Sequence, residues 1–369
     1  MEKKSAKYAA VCNAIREWIS DEELAAGDRL PSEDALARRF QVSRPTIRHA
    51  VGILVQEGWL SRQQGRGTFV LGPGRSPAAP SKLIGVIVTY INNYIFPNII
   101  SGIERRLAQD GYSLVLQSTG NRAERERTAL ETMRRRGVEG LIVEPSQSML
   151  PAANRDEYRL LEQSGVPVLM LHTTYDEVPM VSVTLDDVAG GRLAARHLLD
   201  LGHQAIGLVM KLDDKQGPSR LEGFVAGMSE RSVPFAARWT RLFTTATQEQ
   251  TPGFYADLLE GADAAERPTA VFCYNDEMAA RLIRELEARG LSVPGDLSVM
   301  GYDDSNLARI VNGGLTSIIH PKADMGYEAA ARLLRMIRQE RVEGYTFAPE
   351  LVVRGSTQRR LARAQELSG

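Results

Sequence analysis

The first 70 residues show apolar positions at helical spacing, followed by two short runs typical of strands. Along the first predicted helix these positions are Val11, Ile15, Trp18 and Ile19. Ser32 and Ser43 begin two further runs and are candidate N-caps, because a serine hydroxyl accepts from free helix N–H groups. The pattern predicts helices over 7–20, 32–40 and 43–55 and strands over 59–62 and 67–70. Three helices followed by a β-hairpin predict a winged helix-turn-helix.

Beyond residue 82 the pattern changes to continuous apolar runs that alternate with helical stretches. Such runs predict strands of parallel sheets covered by helices on both faces. The number of these elements favours two doubly wound lobes over one, so we assign the chain to the α/β class. The main predicted strands are 83–88, 114–117, 141–144, 168–171, 206–210, 270–274 and 298–301.

A stretch rich in proline and glycine separates the two patterns. Residues 71–82 contain three Pro, two Gly and two Ser, which is typical of a semi-rigid linker. We therefore divide the chain into a head (1–71), a linker (72–81), a two-lobed body (82–358) and a tail (359–369).

Charge is distributed unevenly along a chain whose net charge is only −1. Between Arg38 and Arg66 there are six arginines and a single acidic residue, Glu57. A basic excess in one small domain is typical of a nucleic-acid-binding surface. A solvated helix face would give the same pattern, so charge alone leaves both interpretations open.

The two cysteines and the N-terminus limit the class of protein further. Cys12 and Cys273 are far apart in sequence, which predicts neither a disulfide framework nor a metal site. The N-terminus lacks an apolar signal segment, and no apolar run reaches the roughly 18 residues of a membrane span. We expect a cytoplasmic protein without membrane contact, metal or cofactor.

The third predicted helix begins with residues suited to contact bases in the major groove. Arg44 and Arg48 are one turn apart, and arginine forms bidentate hydrogen bonds with guanine. Thr46 can reach a phosphate or a thymine methyl group. Gln64 and Arg66 flank Gly65 at the predicted wing tip, and Lys7 begins the first helix near the expected DNA backbone.

The head resembles the GntR-type winged helix over residues 6–71, through GDRLPSEDALARRFQVSRPTIRHAVGILVQEGWLSRQQGRGTFV. In many members a basic residue follows the PSE turn, whereas Asp34 stands here, so we expect that contact to be absent or replaced. The resemblance implies DNA contacts by Arg44, Thr46, Arg48, Gln64 and Gly65, supported by Glu33 and Lys7.

Polar and aromatic side chains follow the predicted strands of the body, where ligands bind in open α/β sheets. Carboxylates and amides pair with adjacent hydroxyls, and aromatic rings cover the C–H face of a sugar. Tyr94 and His172 could equally be packing groups, and Asp186 and Asp187 are interpreted as helix caps. The candidate sugar ligands at strand ends are Tyr90, Phe96, Glu144, His172, Lys211, Asp213, Asn275, Asp303 and His320.

The body resembles the LacI/GalR-type core, which is built like periplasmic sugar-binding proteins, over roughly residues 82–354. The motifs that carry the resemblance include KLIGVIV, GVEGLIVEP, TLDDVAGGRLAARHLLDLGH, RPTAVFCYNDEMA and VPGDLSVMGYDDS. The resemblance implies effector contacts by Arg220, Asn275, Asp303 and His320. LacI relatives carry a hinge helix before this core, whereas the proline-rich linker here cannot form one.

A GntR-type head on this body, with TYINNYIFP, KLDDKQG and CYNDE, resembles the arabinose-responsive repressors of Gram-positive bacteria. The resemblance implies a homodimer that binds a palindromic operator and releases it on binding L-arabinose. We expect the body to pair through Ile100, Ile103 and Leu107 and through residues 281–290. The resemblance leaves two points open. The effector could be another pentose, a hexose or a related small molecule, and the protein could activate transcription in place of repressing it.

An enzyme is the main alternative class, since GntR-type heads are also fused to pyridoxal-phosphate aminotransferase bodies. The body here is short for such an enzyme, and no pairing of nucleophile and base stands out. We therefore expect the protein not to be an enzyme.

Overall fold

The computed structural model describes most of the chain as two compact units, Met1–Ser81 and Lys82–Gly369. The residues it describes are 2–21, 23–25, 27–56, 58–63, 67–71, 81–91, 95–178, 180–263, 266–311 and 313–360. The side chains of residues 2–7, 20, 56 and 63 lie outside this description.

The first unit contains three helices and a β-hairpin, as the pattern predicted. Its core consists of apolar side chains that include the fully buried Ile15, Ile47 and Leu60. The Ser32 hydroxyl accepts from the Ala35 N–H at 3.2 Å, which confirms Ser32 as an N-cap. The elements are α1 (Glu2–Ser20), α2 (Glu33–Phe40), α3 (Arg44–Gln56), β1 (Leu60–Gln63) and β2 (Gly67–Val70).

The second unit contains two six-stranded sheets, each the centre of one lobe. In the N-lobe the strand order is β13-β7-β6-β5-β3-β4, and every neighbouring pair is parallel. Its elements are β3 (Leu83–Val88), α4 (Phe96–Gln109), β4 (Ser113–Ser118), α5 (Ala123–Arg136), β5 (Gly140–Val143), α6 (Arg155–Gln163), β6 (Val168–Leu171), β7 (Ser182–Leu185), α12 (Lys322–Ile337) and β13 (Tyr345–Phe347).

In the C-lobe the strand order is β14-β12-β11-β10-β8-β9, and only β14 is antiparallel to its neighbour. Its elements are α7 (Asp187–Asp200), β8 (Ile206–Lys211), α8 (Gln216–Glu230), β9 (Thr240–Phe243), α9 (Thr251–Glu260), β10 (Ala270–Cys273), α10 (Asp276–Ala288), β11 (Ser298–Asp303), α11 (Asn306–Ile310), β12 (Thr316–Ile319) and β14 (Glu350–Val352), with a 3-10 turn at Ala237–Trp239.

The chain crosses between the lobes where one sheet's strand is followed by an element of the other lobe. These crossings follow β7, β12 and β13. Residues just beyond the first two, Asp187 and His320, are therefore placed between the lobes.

In the described part of the chain, no helix is long and apolar enough to cross a membrane.

The expected pairing surface on the body is wrong in part. Ile103 and Leu107 are almost fully buried in the N-lobe core, because α4 packs against α12. Leu282, Ile283 and Leu286 are likewise buried within the C-lobe. These side chains face the interior and are not available to a second copy of the chain.

Paired glycines bring helices into close contact on each lobe. A Cβ on Gly223 of α8 would overlap the carbonyl oxygen of Val188 on α7, and one on Gly191 would overlap that of Arg220. Since α8 carries Arg220, this close packing fixes the depth of that side chain.

We predict that Gly223→Ala destabilises the second unit by roughly 1–3 kcal/mol, because the added methyl group must push the two helices apart. Urea unfolding measures the change. Gly253→Ala is the matched control, since a Cβ there has no heavy atom within 4 Å. That control should be neutral or stabilise by up to about 1 kcal/mol, and equal destabilisation by both would contradict the packing argument.

Candidate functional site

A polar cleft lies between the two lobes, at the carboxyl ends of their parallel strands. Strand ends of the N-lobe supply Thr89, Glu144 and His172, and those of the C-lobe supply Lys211, Tyr274 and Asp303. The crossing after β12 adds His320. This is the place where open α/β sheets bind ligands.

The N-lobe wall is organised by the buried carboxylate of Glu144. One oxygen accepts from the Thr89 N–H at 2.7 Å and from the Thr89 hydroxyl at 2.6 Å. The other oxygen is 2.8 Å from Nδ1 of His172. Glu144 therefore orients the imidazole ring across the cleft.

A contact between two histidines joins the lobes. Nε2 of His172 is 3.1 Å from Nε2 of His320, and both rings are buried. If the His172 ring is neutral and donates through Nδ1 to Glu144, its Nε2 is an acceptor, so His320 must donate through Nε2. Nδ1 of His320, which has no hydrogen-bond partner among the described residues, is then left with a free lone pair. That lone pair can accept from a ligand hydroxyl.

Burial lowers the pKa of His320 well below its usual range, and the nearby cations Lys322 and Arg220 add to the effect. The ring is therefore neutral near pH 7, as the donor-acceptor pattern requires. A charged imidazolium would lose the free lone pair.

The C-lobe wall of the cleft is built around the guanidinium of Arg220. It donates to Asp187 at 2.8 Å and to the Tyr274 carbonyl at 2.6 Å. Its Cζ lies 3.6 Å from the centre of the Tyr302 ring, and Nη2 is 3.8 Å from Asp303. Burial opposes the charge, but the Asp187 carboxylate, the tyrosines and Asp303 outweigh it and raise the Arg220 pKa.

A second cation, Lys211, lies at the end of β8. Its Nζ is 2.9 Å from Asp214, and Asp214 also accepts from the Tyr274 hydroxyl at 2.9 Å. Burial disfavours the ammonium, yet Asp214 and Asp213 together raise its pKa. The cleft thus holds its cations in pairs with carboxylates.

The remaining predicted residues occupy different positions around the cleft. Asn275 lines it and also caps α10, because its side-chain oxygen accepts from the Met278 N–H at 2.9 Å. Tyr90 and Phe96 line it from the N-lobe, with ring centres 6.4 Å apart. Asp213 does not line it and instead contacts Asn121 and Thr245.

The structure therefore brings together nine of the ten predicted effector residues, with Asp213 outside the lining: Tyr90, Phe96, Glu144, His172, Lys211, Arg220, Asn275, Asp303 and His320. Tyr94 lies outside the described residues.

Sequence reasoning missed several residues of the lining, above all Asp187, Asp214 and Tyr274. Asp186 caps α7 by accepting from the Ala189 N–H at 2.8 Å, as predicted, whereas Asp187 turns inward to Arg220. Position after a strand was the only available signal, and it pointed equally to Asp213 and Asp214. Other lining residues that the prediction lacked include Asn121, Gln216, Phe243, Gln248, Glu277 and Arg281.

The start of α3 presents two exposed arginines on the head, each tied to an acidic residue of α2. Arg44 forms an ion pair with Asp34, and Arg48 donates to Glu33 at 2.9 Å. Hydrogen bonding from Arg48 lowers the pKa of Glu33. Asp34, which directly follows the Pro31-Ser32-Glu33 turn, thus holds Arg44.

The other predicted DNA contacts either lie beside these arginines or fall outside the described residues. Thr46 is half-buried, with its hydroxyl 2.8 Å from that of Ser43. Gln64, Gly65 and Arg66 lie outside the described residues, as does the side chain of Lys7. Among the side chains that are described, no group of three or more His, Cys, Asp or Glu could hold a metal ion.

A winged helix-turn-helix with exposed arginines, in one chain with a ligand cleft between two lobes, defines a class of ligand-responsive DNA-binding regulators. Residues 7–70 match the model of bacterial regulatory proteins of the gntR family. Residues 195–357 match the model of a periplasmic binding protein-like domain.

Full-length relatives support the same class. The chain is 40% identical over 359 residues to the arabinose metabolism transcriptional repressor of Geobacillus stearothermophilus, covering 96% of this chain and 99% of the relative. It is 38% identical to the protein of that name from Halalkalibacterium halodurans, covering 95% and 96%. The chain therefore belongs to the family of GntR-type regulators with a periplasmic-binding-protein-like effector domain, which includes these two repressors.

A solved structure agrees with the body fold. A LacI family transcriptional regulator from Enterococcus faecium with bound ribose superposes with a TM-score of 0.66 and 30% identity. The match covers 76% of this chain and all of that one. The predicted fold class, a winged helix-turn-helix with two doubly wound lobes, is confirmed.

We predict that His320 makes the body less stable in acid. Because its folded pKa is below that of the unfolded chain, the unfolded state binds the extra proton as pH falls below about 6.5. Stability linked to His320 should then fall by up to about 1.4 kcal/mol per pH unit until the folded pKa is reached. The measurement is urea unfolding of wild type and His320→Gln at pH 7.5, 6.5 and 5.5.

The stability advantage of wild type over His320→Gln should shrink across this series. His49→Gln replaces an exposed histidine of the head and is the control. An advantage that stays constant from pH 7.5 to 5.5 would show that folding does not lower the His320 pKa, and one that grows toward low pH would show that the folded protein holds the proton.

Proposed function

We propose that this protein is a transcriptional repressor that binds operator DNA through its head and releases it when a monosaccharide, L-arabinose, closes the body. The observation that carries the proposal is one chain with both exposed arginines on α3 and a buried cleft of paired charges. The 40% identity to an arabinose metabolism repressor over nearly the whole chain supports the choice of sugar.

The charges of the cleft favour a neutral polyhydroxyl ligand. Lys211 is paired with Asp214, and Arg220 with Asp187. With its cations neutralised, the cleft offers no excess positive charge to a phosphate. Carboxylates that accept and amides that donate suit hydroxyl groups, which do both.

The aromatic and histidine side chains supply the other requirement of sugar recognition. Phe96 lies against the ring of His172, with centres 6.1 Å apart, and can cover the C–H face of a sugar. On the opposite side of the cleft, Nδ1 of His320 then accepts from a hydroxyl of the sugar. Contacts from both lobes to one ligand explain why binding favours the closed form.

The proposal includes a homodimer that works in the cytoplasm. A recognition helix covers one half-site, and two paired heads match a palindrome. Closure of the body changes the spacing of the heads, so sugar and operator bind in competition. Their coupling is reciprocal, typically about 5–150-fold. The proposal assigns the chain no enzymatic reaction.

For DNA binding, we predict that Arg48→Ala weakens operator affinity by roughly tenfold to a hundredfold, since a bidentate arginine contributes about 1–3 kcal/mol. The operator is selected from a random duplex pool and its affinity measured by fluorescence anisotropy. Arg231→Ala removes a surface charge from the body, where Arg231 pairs with Asp200, and is the control. Equal losses in the two variants would reject a specific contact.

For effector binding, we predict that L-arabinose raises the melting temperature and releases the operator, whereas its mirror image D-arabinose does neither. Asp303→Asn keeps the shape but removes the charge, and should weaken sugar affinity roughly tenfold or more. Asp304→Asn is the matched control, since Asp304 pairs with Arg354 and does not line the cleft. Stabilisation by D-ribose or a hexose in place of L-arabinose would replace the proposed sugar.

A further inference from the structure

The lobes contact each other through polar side chains that lie apart from the three crossings. Nδ2 of Asn121, after β4 in the N-lobe, donates to Oδ2 of Asp213 at 3.3 Å and to Oγ1 of Thr245 at 2.9 Å. Asp213 and Thr245 follow β8 and β9 of the C-lobe. We call these three residues the interlobe bridge.

Asn121 is held in position by its own lobe. Its φ of 56° is left-handed, a conformation that asparagine adopts more readily than most residues. Its N–H donates to the Thr119 hydroxyl at 3.2 Å, and its side-chain oxygen accepts from the Gln147 N–H at 2.7 Å. The amide group is therefore fixed with both N–H bonds toward the C-lobe, although Asn121 is only 2% exposed.

Asp213 is held in position by the other lobe. The oxygen that accepts from Asn121 also accepts from the Thr245 N–H at 2.9 Å. Its second oxygen is 3.6 Å from Nζ of Lys211, which lines the cleft. Asp213 itself lies outside the lining, and both N–H bonds of Asn121 are used by the protein. The bridge thus joins the lobes through hydrogen bonds that need no ligand, although Asn121 lines the cleft and Oδ1 of Asp213 has no hydrogen-bond partner among the described residues.

A second contact joins the lobes in the same way. The Ser148 hydroxyl, after β5, accepts from the Lys215 N–H at 3.0 Å. Nζ of Lys215 donates to the carbonyl oxygen of Thr174 at 2.7 Å, beyond β6. These contacts form only when the lobes are together.

We propose that Asn121, Asp213 and Thr245 are positioning residues that hold the lobes closed and thereby set the sugar concentration to which the regulator responds. The inference rests on the proposed function for the identity of the sugar, but not for the closure itself. If only the closed form binds sugar, the apparent affinity falls in proportion to the fraction that is closed. Weakening the bridge then weakens binding by lowering the fraction of molecules that is closed.

The test reverses the polarity of the bridge in the full-length chain. Asn121→Asp places a carboxylate against Asp213 and should weaken L-arabinose affinity by about tenfold or more. Asn121→Asp combined with Asp213→Asn restores an amide–carboxylate pair in the opposite direction. This double variant should recover part of the affinity lost in Asn121→Asp, as expected when two residues interact directly. Recovery should be incomplete, because the new amide nitrogen stands where Oδ2 of Asp213 accepted from the Thr245 N–H. Titration calorimetry measures both.

Closure is measured separately, by the distance between spin labels on exposed positions of the two lobes, Glu162→Cys and Glu222→Cys. Cys12 and Cys273 are buried and should stay unlabelled. Sugar-free Asn121→Asp should shift toward longer distances, and the double variant should shift back. Ser148→Ala, a milder change outside the cleft lining, should shift affinity and distance in the same direction as Asn121→Asp.

Asn154→Ala is the matched control, because Asn154 donates only within the N-lobe, to Ala123 and Glu126. It should lower the melting temperature without changing the distances. If Asn121→Asp leaves the distances unchanged, or the double variant fails to recover them, the bridge does not control closure. If wild type does not bind L-arabinose, the proposed sugar is wrong, and the distances measured without sugar still decide the role of the bridge.

Discussion

The buried guanidinium of Arg220 is the interaction on which the effector cleft depends. Removing such a charge from water costs several kcal/mol, which only well-placed partners offset. Asp187 lies at the crossing from β7, and the Tyr274 carbonyl ends the run of β10, so one side chain links two strand ends and the start of α7. The Tyr302 ring lies beneath it. Loss of Asp187 would leave the buried charge without the carboxylate to which it donates, so the C-lobe wall depends above all on this pair.

The two walls of the cleft differ in whether their polar groups are paired within one lobe or across both lobes. The C-lobe wall consists of charge pairs that are satisfied within the lobe, at Arg220 and at Lys211. The N-lobe wall reaches across to the other lobe, because Glu144 orients His172 and His172 contacts His320. A neutral ligand can therefore enter between satisfied charges and exchange hydrogen bonds with both lobes. Under the proposed function, a ligand that contacts both walls favours closure, which is the step that a regulator must communicate to its DNA-binding head.

The head also holds its exposed cations in pairs with carboxylates. Glu33 and Asp34 hold Arg48 and Arg44 in the free protein, so both arginines are ordered before DNA arrives. In the proposed DNA complex, Glu33 and Asp34 must release or share these arginines when a base or phosphate binds. Such competition favours sites that offer arginine a better partner than a surface carboxylate, where exposed pairs contribute at most about 1 kcal/mol.

Local patterns determined much of this protein from the sequence alone. The helix period in the head, the continuous apolar strands in the body and the serine cap at Ser32 follow from short-range physics. The short strands β7, β9, β13 and β14 were not predicted, because three or four residues with exposed or alternating positions carry little signal. Nine of the ten predicted effector residues line the cleft. Most were predicted because parallel strands end at one edge of a sheet, whereas Arg220, on α8, was predicted from the family resemblance.

Only the tertiary structure decided which neighbour of a pair turns inward. Asp213 and Asp214 are adjacent, yet Asp214 lines the cleft whereas Asp213 contacts the opposite lobe. Asp186 caps a helix, whereas Asp187 pairs with Arg220. The direction of a side chain at a strand end depends on the backbone turn and on partners more than 30 residues away. The sequence alone thus determined the elements and the edge where the site forms, and long-range contacts between the lobes decided the role of each side chain there.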